Sequence, residues 1–293
     1  MKYKVFIIFL TILILFFACN QNKTGRTKPP TTKPTNPPKP LTEEAQKQQE
    51  AQKQQEAQKQ QEAQKQQEAQ KQQGAQKQQI VDDIKNLLQT VTPILKTHND
   101  NTWNETAQGY NLAGQDQIFS AIHHTHQKYE FNKRYNANND ESKAARREVY
   151  LALEYNKEYI NAFATSINKT TERARQSINV HESIEAILNY MREYAKAYYL
   201  QAFNTLNNKK DELEKLSLAN LKTLLNKINA IQEAKTNIVN IALKLKENFD
   251  TNIKVGDVNV DIQIKENEQD EFEKEINTIK QAANDITKIL TLP

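Results

Sequence analysis

The feature that most constrains this chain is the spacing of its apolar residues, which recur at intervals of three and four from Ile80 to Leu290. That spacing lines up side chains along one face of a helix and scatters them over both faces of a strand. Ile80, Ile84, Leu87, Leu88 and Val91 open the series, and Phe272, Ile276, Ile279, Ala283, Ile286 and Leu290 close it. Only three glycines fall in residues 80–293, too few for a glycine-rich loop that cradles phosphates. The expected fold is all-α, a multi-helix bundle long enough to bury one sizeable core.

Pro93 is expected to end or kink the first helix. A polar loop with Trp103, Gly109 and Gly114 follows, then a short helix turning Ile118, Phe119 and Ile122 inward. Asn139 or Asp140 caps the next helix, whose inner face is Val149, Leu153, Ile160, Phe163 and Ile167. An aromatic helix from about Ser183 to Leu206 carries Ile184, Leu188, Met191, Ala195, Tyr198, Tyr199, Ala202 and Leu206, and its tyrosines read as core and rim, not as a ligand cage. Ser217 caps a helix with Leu221, Leu224, Leu225, Ile228, Ile231, Ile238, Ala242, Leu245 and Phe249 inward. Val258, Val260, Ile262 and Ile264 then alternate behind Gly256-Asp257, which permits a small hairpin. The terminal seam either closes the bundle or pairs with a second copy, so monomer and homodimer both stay open.

Ahead of the bundle the composition changes completely. Lys2 and Lys4 precede an apolar run, Val5 to Phe17, broken only by Thr11 and ending in Ala18-Cys19. A run of thirteen residues is short for crossing roughly 30 Å of hydrocarbon, and a polar stretch follows at once. Residues 1–18 therefore read as a secretion signal. Cys19 is the one cysteine of the chain, so an intrachain disulfide and a thiolate metal cluster are both excluded. A small residue before a cysteine at that place suits cleavage and acylation, which makes Cys19 the expected lipidation site and the bilayer the first partner. Each buried methylene contributes about 0.8 kcal/mol, so two or three acyl chains anchor where one would not.

Residues 19–43 hold the cysteine and a tether with six prolines and five basic residues between 20 and 40, too poor in apolar side chains to offset the entropy of ordering. A Glu-Ala-Gln-Lys-Gln-Gln repeat then runs from Glu44 to Gln73, and Gly74 replaces Glu in a sixth copy ending at Gln79. These residues favour helix. A period of six winds the alanines around the helix, so no coiled-coil seam forms. The segment 44–79 is expected to be a fluctuating, partly helical stalk, and with the tether it reaches on the order of 50 to 100 Å. The folded domain is then 80–293.

The formal charge of +4 comes from the signal and the proline-rich segment; residues 41–79 are neutral and residues 80–293 carry three more acids than bases. Nucleic acid is therefore not an expected partner. Lys143, Arg146 and Arg147 share a helical face and read as a solvated one. His123 and His126, with His124 between them, share the face of a helix but lack a third ligand, so no metal is expected. No glycine-rich phosphate loop or nucleophile elbow occurs, and neither a catalytic residue nor a cofactor is proposed.

The run Arg147-Glu-Val-Tyr-Leu-Ala-Leu-Glu-Tyr-Asn-Lys-Glu158, the aromatic stretch Tyr190 to Phe203, and Leu213 to Ile228 with Leu216-Ser217 before a helix start resemble the CspA-like family of Borrelia outer-surface lipoproteins. The resemblance covers most of residues 118–290. It implies a helical bundle anchored in the outer membrane, exposed at the cell surface and antigenic. It also implies a partner from the host or the tick, such as a complement component, and no binding residue carries over. The alternative is a structural or antigenic coat lipoprotein with no single ligand.

Overall fold

The computed structural model describes residues 43–125, 133–254 and 266–291. The chain divides into two units, residues 1–61 and 62–293. In the first, the described residues are the start of a helix, α1, whose full extent is Glu43–Asn99. The repeat thus lies within a continuous helix, where part-helical structure was expected, and it continues through Gly74.

The second unit holds the bundle. Pro93 does not end α1, which continues to Asn99. A proline inside a helix costs about 3 kcal/mol; here Val91 and Leu95, both buried, hold the helix down on either side of it. The segment 100–117, expected as a polar loop, is organised by its own turn chemistry. Asn104 Oδ1 accepts the backbone N–H groups of Thr106 and Ala107 at 3.0 and 3.4 Å, capping the short helix α2 (Glu105–Gln108). Gly109 then ends it with φ 67°, a conformation that suits glycine. Ile118–Ser120 is a single 3-10 turn with all three residues buried.

Of the two caps the sequence offers, Asn139 caps α3 (Asp140–Ala152), accepting the N–H of Ser142 at 2.8 Å. The face expected to run on as one helix to Ile167 is split, because Glu154 and Tyr155 take positive φ and Asn156 caps a new helix, α4 (Lys157–Ile167). Helices α5 (Thr171–Gln176) and α6 (Ile178–Ala195) follow, and α6 widens into a π-helix over Lys196–Phe203 before α7 (Asn204–Asn208). The π stretch buries Ala197, Tyr198, Tyr199, Ala202 and Phe203, so adjacent tyrosines both turn inward. Ser217 Oγ accepts the N–H of Asn220 at 3.1 Å at the start of α8 (Leu218–Lys254). Along α8, Ala234 and Ile241 are buried and Ala242 is exposed, so the seam follows Ile241 in place of the expected Ala242. Leu245, Phe249 and the expected hairpin at Val258, Val260, Ile262 and Ile264 lie outside the residues whose side chains are described.

The last helix, α9 (Glu266–Leu290), buries Phe272, Ile276, Ile279, Ala283, Ile286 and Leu290. It packs mainly against α8 and the π stretch and also meets α6 and α7, so the terminal seam closes the bundle. Two apolar cores result. One joins α1, the π stretch, α8 and α9; the other gathers Leu112, Phe119, Tyr135, Tyr150, Ile160 and Ile184 around α3, α4 and α6. Tyr155 packs against both. Among the described residues there is no β-strand, only an isolated antiparallel bridge between His123 and Arg134.

Candidate functional site

Where α1 ends, its last carbonyls have no helical partners of their own. Arg147 of α3 supplies them, donating from Nη2 to the Thr97 carbonyl at 2.8 Å and to that of His98, and from Nη1 to that of Asp100 at 3.1 Å. A planar five-donor guanidinium suits this fan of acceptors. Its carbon also lies 5.0 Å from the ring centroid of Trp103, a cation–π distance.

Trp103 is the centre of an aromatic group. Its ring centroid is 5.2 Å from Tyr155 in an edge-on arrangement, 6.1 Å from Tyr110 and 6.0 Å from Tyr150. The Tyr110 hydroxyl donates to the Tyr155 carbonyl at 3.1 Å, and the Tyr155 hydroxyl to the Arg147 carbonyl at 3.2 Å. His98 Nδ1 is 3.0 Å from the same Tyr155 hydroxyl. Burial, and then the neighbouring Arg147 charge, hold the His98 pKa below its usual value, while burial raises those of Tyr110 and Tyr155. Together Pro93, Ile94, Thr97, Trp103, Gln108, Tyr110, Glu154 and Tyr155 line an open depression of about 360 Å³.

Such a surface offers aromatic faces, aliphatic contact and a few hydrogen-bonding groups, the mixture that anchors protein partners. Periodicity does not foresee it, because Trp103, Tyr110 and Tyr155 come from two turns and α1 adds the third wall. The one local sign was three aromatics beside turn residues.

The sequence-predicted sites fare differently. Cys19 lies outside the described residues, as does His126. His123 is in the bridge with Arg134 and not on a helix, and His124 Nε2 meets the buried Ser142 hydroxyl at 3.0 Å. Among the described residues no group of three or more potential ligands could hold a metal. The solvated basic face is corrected: Lys143 is exposed, but Arg146 is buried, ion-paired with Glu105 at 2.8 Å and bonded to the carbonyls of Tyr135 and Ala137. Tyr150 also donates to Glu105, at 2.6 Å, so this ion pair is a structural tie between α2 and α3. The tyrosines of the aromatic stretch are core and rim, with Tyr194, Tyr198 and Tyr199 buried and Tyr190 half-buried at the edge. No described helix is long and apolar enough to cross a membrane.

A family profile described as Borrelia Bbcrasp-1 domain containing protein matches residues 115–291. The chain belongs to this family. Similar solved structures include a C-terminal proteolytic fragment of an outer surface protein from Borrelia burgdorferi, 16% identical with a TM-score of 0.53, covering 72% of this chain and 99% of that one. The outer surface protein BBA66 from Borrelia burgdorferi is 17% identical with the same TM-score of 0.53, again over 72% of this chain and 99% of that one. At such identity the shared property is the helical fold. No curated relative matches the chain. The family profile covers Arg147, Glu154 and Tyr155, whereas Trp103, Tyr110 and the α1 wall of the depression precede it.

Proposed function

We propose that this family member is displayed at the bacterial surface and binds a protein of the host or the tick, without catalysis, through the depression around Trp103. One observation carries the reading: a half-buried tryptophan, the single one of the chain, packs on the edge of the second core and, with two tyrosines, lines an open depression. Partly wet Trp, Tyr and Arg groups are the ones most often found at the energetic centre of protein interfaces. The excess of acids over bases in 80–293 disfavours a polyanionic ligand as the main partner.

The same proposal assigns residues 1–18 to a signal peptide, Cys19 to acylation, 19–43 and 44–79 to the tether and stalk, and 80–293 to the ligand-binding domain. Acylated Cys19 holds the chain on the outer membrane, and the stalk carries the domain beyond neighbouring surface molecules. Names of the matched relatives, outer surface proteins of Borrelia, support this placement.

The test is capture of partners by the purified chain from mammalian serum and from tick-gut extract, each followed by titration of the captured protein. Saturable binding in the micromolar range or tighter is expected from one source. Absence of saturable binding to any component of both would leave the coat-protein alternative.

A further inference from the structure

The left-handed turn beside the depression carries a residue that its backbone does not favour. The end of α3 is closed by two bonds, from the Tyr155 N–H to the Tyr150 carbonyl at 2.8 Å and from the Glu154 N–H to the Leu151 carbonyl at 2.9 Å. That pair of bonds defines a Schellman motif, whose left-handed position ordinarily belongs to glycine. Here Glu154 occupies it with φ 59°, and Tyr155 follows with φ 52°, two successive non-glycine residues in a region that side chains disfavour.

The Glu154 side chain is tied on its far side. Its Oε1 accepts from Lys235 Nζ of α8 at 2.6 Å and from the Tyr199 hydroxyl of the π stretch at 3.0 Å. Lys235 Nζ in turn lies 5.0 Å from the Tyr198 ring centroid. Burial opposes the charge on Lys235, but Tyr198 and the hydrogen-bonded Glu154 outweigh it and raise its pKa. The carboxylate is therefore gripped by two elements, and the turn it holds is the one that delivers Tyr155 to Trp103, 5.2 Å away.

We propose that Glu154 is a positioning residue for the depression: its carboxylate, held by Lys235 and Tyr199, keeps the left-handed turn in place and so sets the Tyr155 ring that forms the wall beside Trp103. This rests on the depression being the partner site, but its test needs no partner, so either idea can fail alone. Strain that persists only where the surroundings over-determine it fits such a role.

Trp103 is the only tryptophan, so acrylamide quenching of its fluorescence in the full chain reports the wall directly. Glu154→Ala keeps the disfavoured backbone and removes the grip; quenching should rise severalfold while the helical circular dichroism stays. Glu154→Gly also removes the grip but accepts positive φ without strain, and should return quenching close to that of the unaltered chain. Lys235→Met, altered outside the turn, should move quenching in the direction of Glu154→Ala. Unchanged quenching in both Glu154→Ala and Lys235→Met would overturn the proposal, and so would equal quenching in the alanine and glycine variants. If Glu154→Ala does not fold, the comparison of Glu154→Gly with Lys235→Met decides in the same way.

Discussion

Arg147 joins the end of one helix to the aromatic ring of another segment: its guanidinium stacks 5.0 Å from Trp103 while donating to the carbonyls of Thr97, His98 and Asp100. Arg147→Lys keeps the charge but loses the planar fork. Leaving part-buried acceptors without donors costs about 1–3 kcal/mol. Denaturant titration should show that loss, accompanied by a shift in Trp103 emission. Stability and emission both unchanged would mean that the stacked geometry does not hold α1 to α3.

Ile279 is fully buried in the seam of α9. Ile279→Ala should cost about 2–5 kcal/mol, the range for truncating a buried isoleucine. Because this seam faces α8 and the π stretch within the same chain, the loss should be the same at low and high protein concentration. A melting temperature of the unaltered chain that rises steeply with concentration would instead make the seam a dimer contact.

Acid should weaken the junction around His98. Burial and then Arg147 lower its pKa from the usual 6.5, and burial and then Arg192 do the same for His124. The unfolded chain therefore takes up these protons more readily than the folded one. Stability is full above the ordinary histidine pKa and falls as pH drops through it toward the lowered folded values. Melting temperatures compared at about pH 7.5 and about pH 5.5 should differ, and His98→Gln should narrow the difference. A variant that keeps the whole difference would remove His98 from the account.

How legible this was in the sequence depends on the range of the interaction. Asn139, one of two caps the sequence offers, and Ser217 act within three residues of themselves, and the α9 seam is a one-dimensional pattern, so all were visible in the spacing, though not which of two partners the seam takes. Arg146 looked solvated because its partner Glu105 lies forty-one residues away. Pro93 looked like a helix end or a kink because local chemistry says so; α1 runs on through it to Asn99, with Val91 and Leu95 packed on either side. The π stretch and the paired left-handed turn at Glu154 and Tyr155 have no glycine or proline to mark them. Trp103, Tyr110 and Tyr155 converge only once two turns and a helix end have been folded together, so the depression was invisible to spacing.

Cys19→Ala tests the anchor. If two or three acyl chains on Cys19 hold the protein on the membrane, each methylene adding about 0.8 kcal/mol of burial, the variant should leave the detergent phase on partitioning. Partitioning like that of the unaltered chain would place the anchor elsewhere.

The most direct measurement of the central claim is a titration of the captured host or tick protein against the unaltered chain and against Trp103→Ala, with the thermal melt of both recorded. If the depression holds the partner, Trp103→Ala weakens binding at least tenfold, about 1.4 kcal/mol, while its melt stays cooperative. Equal affinity for the two chains, both folded, would contradict it.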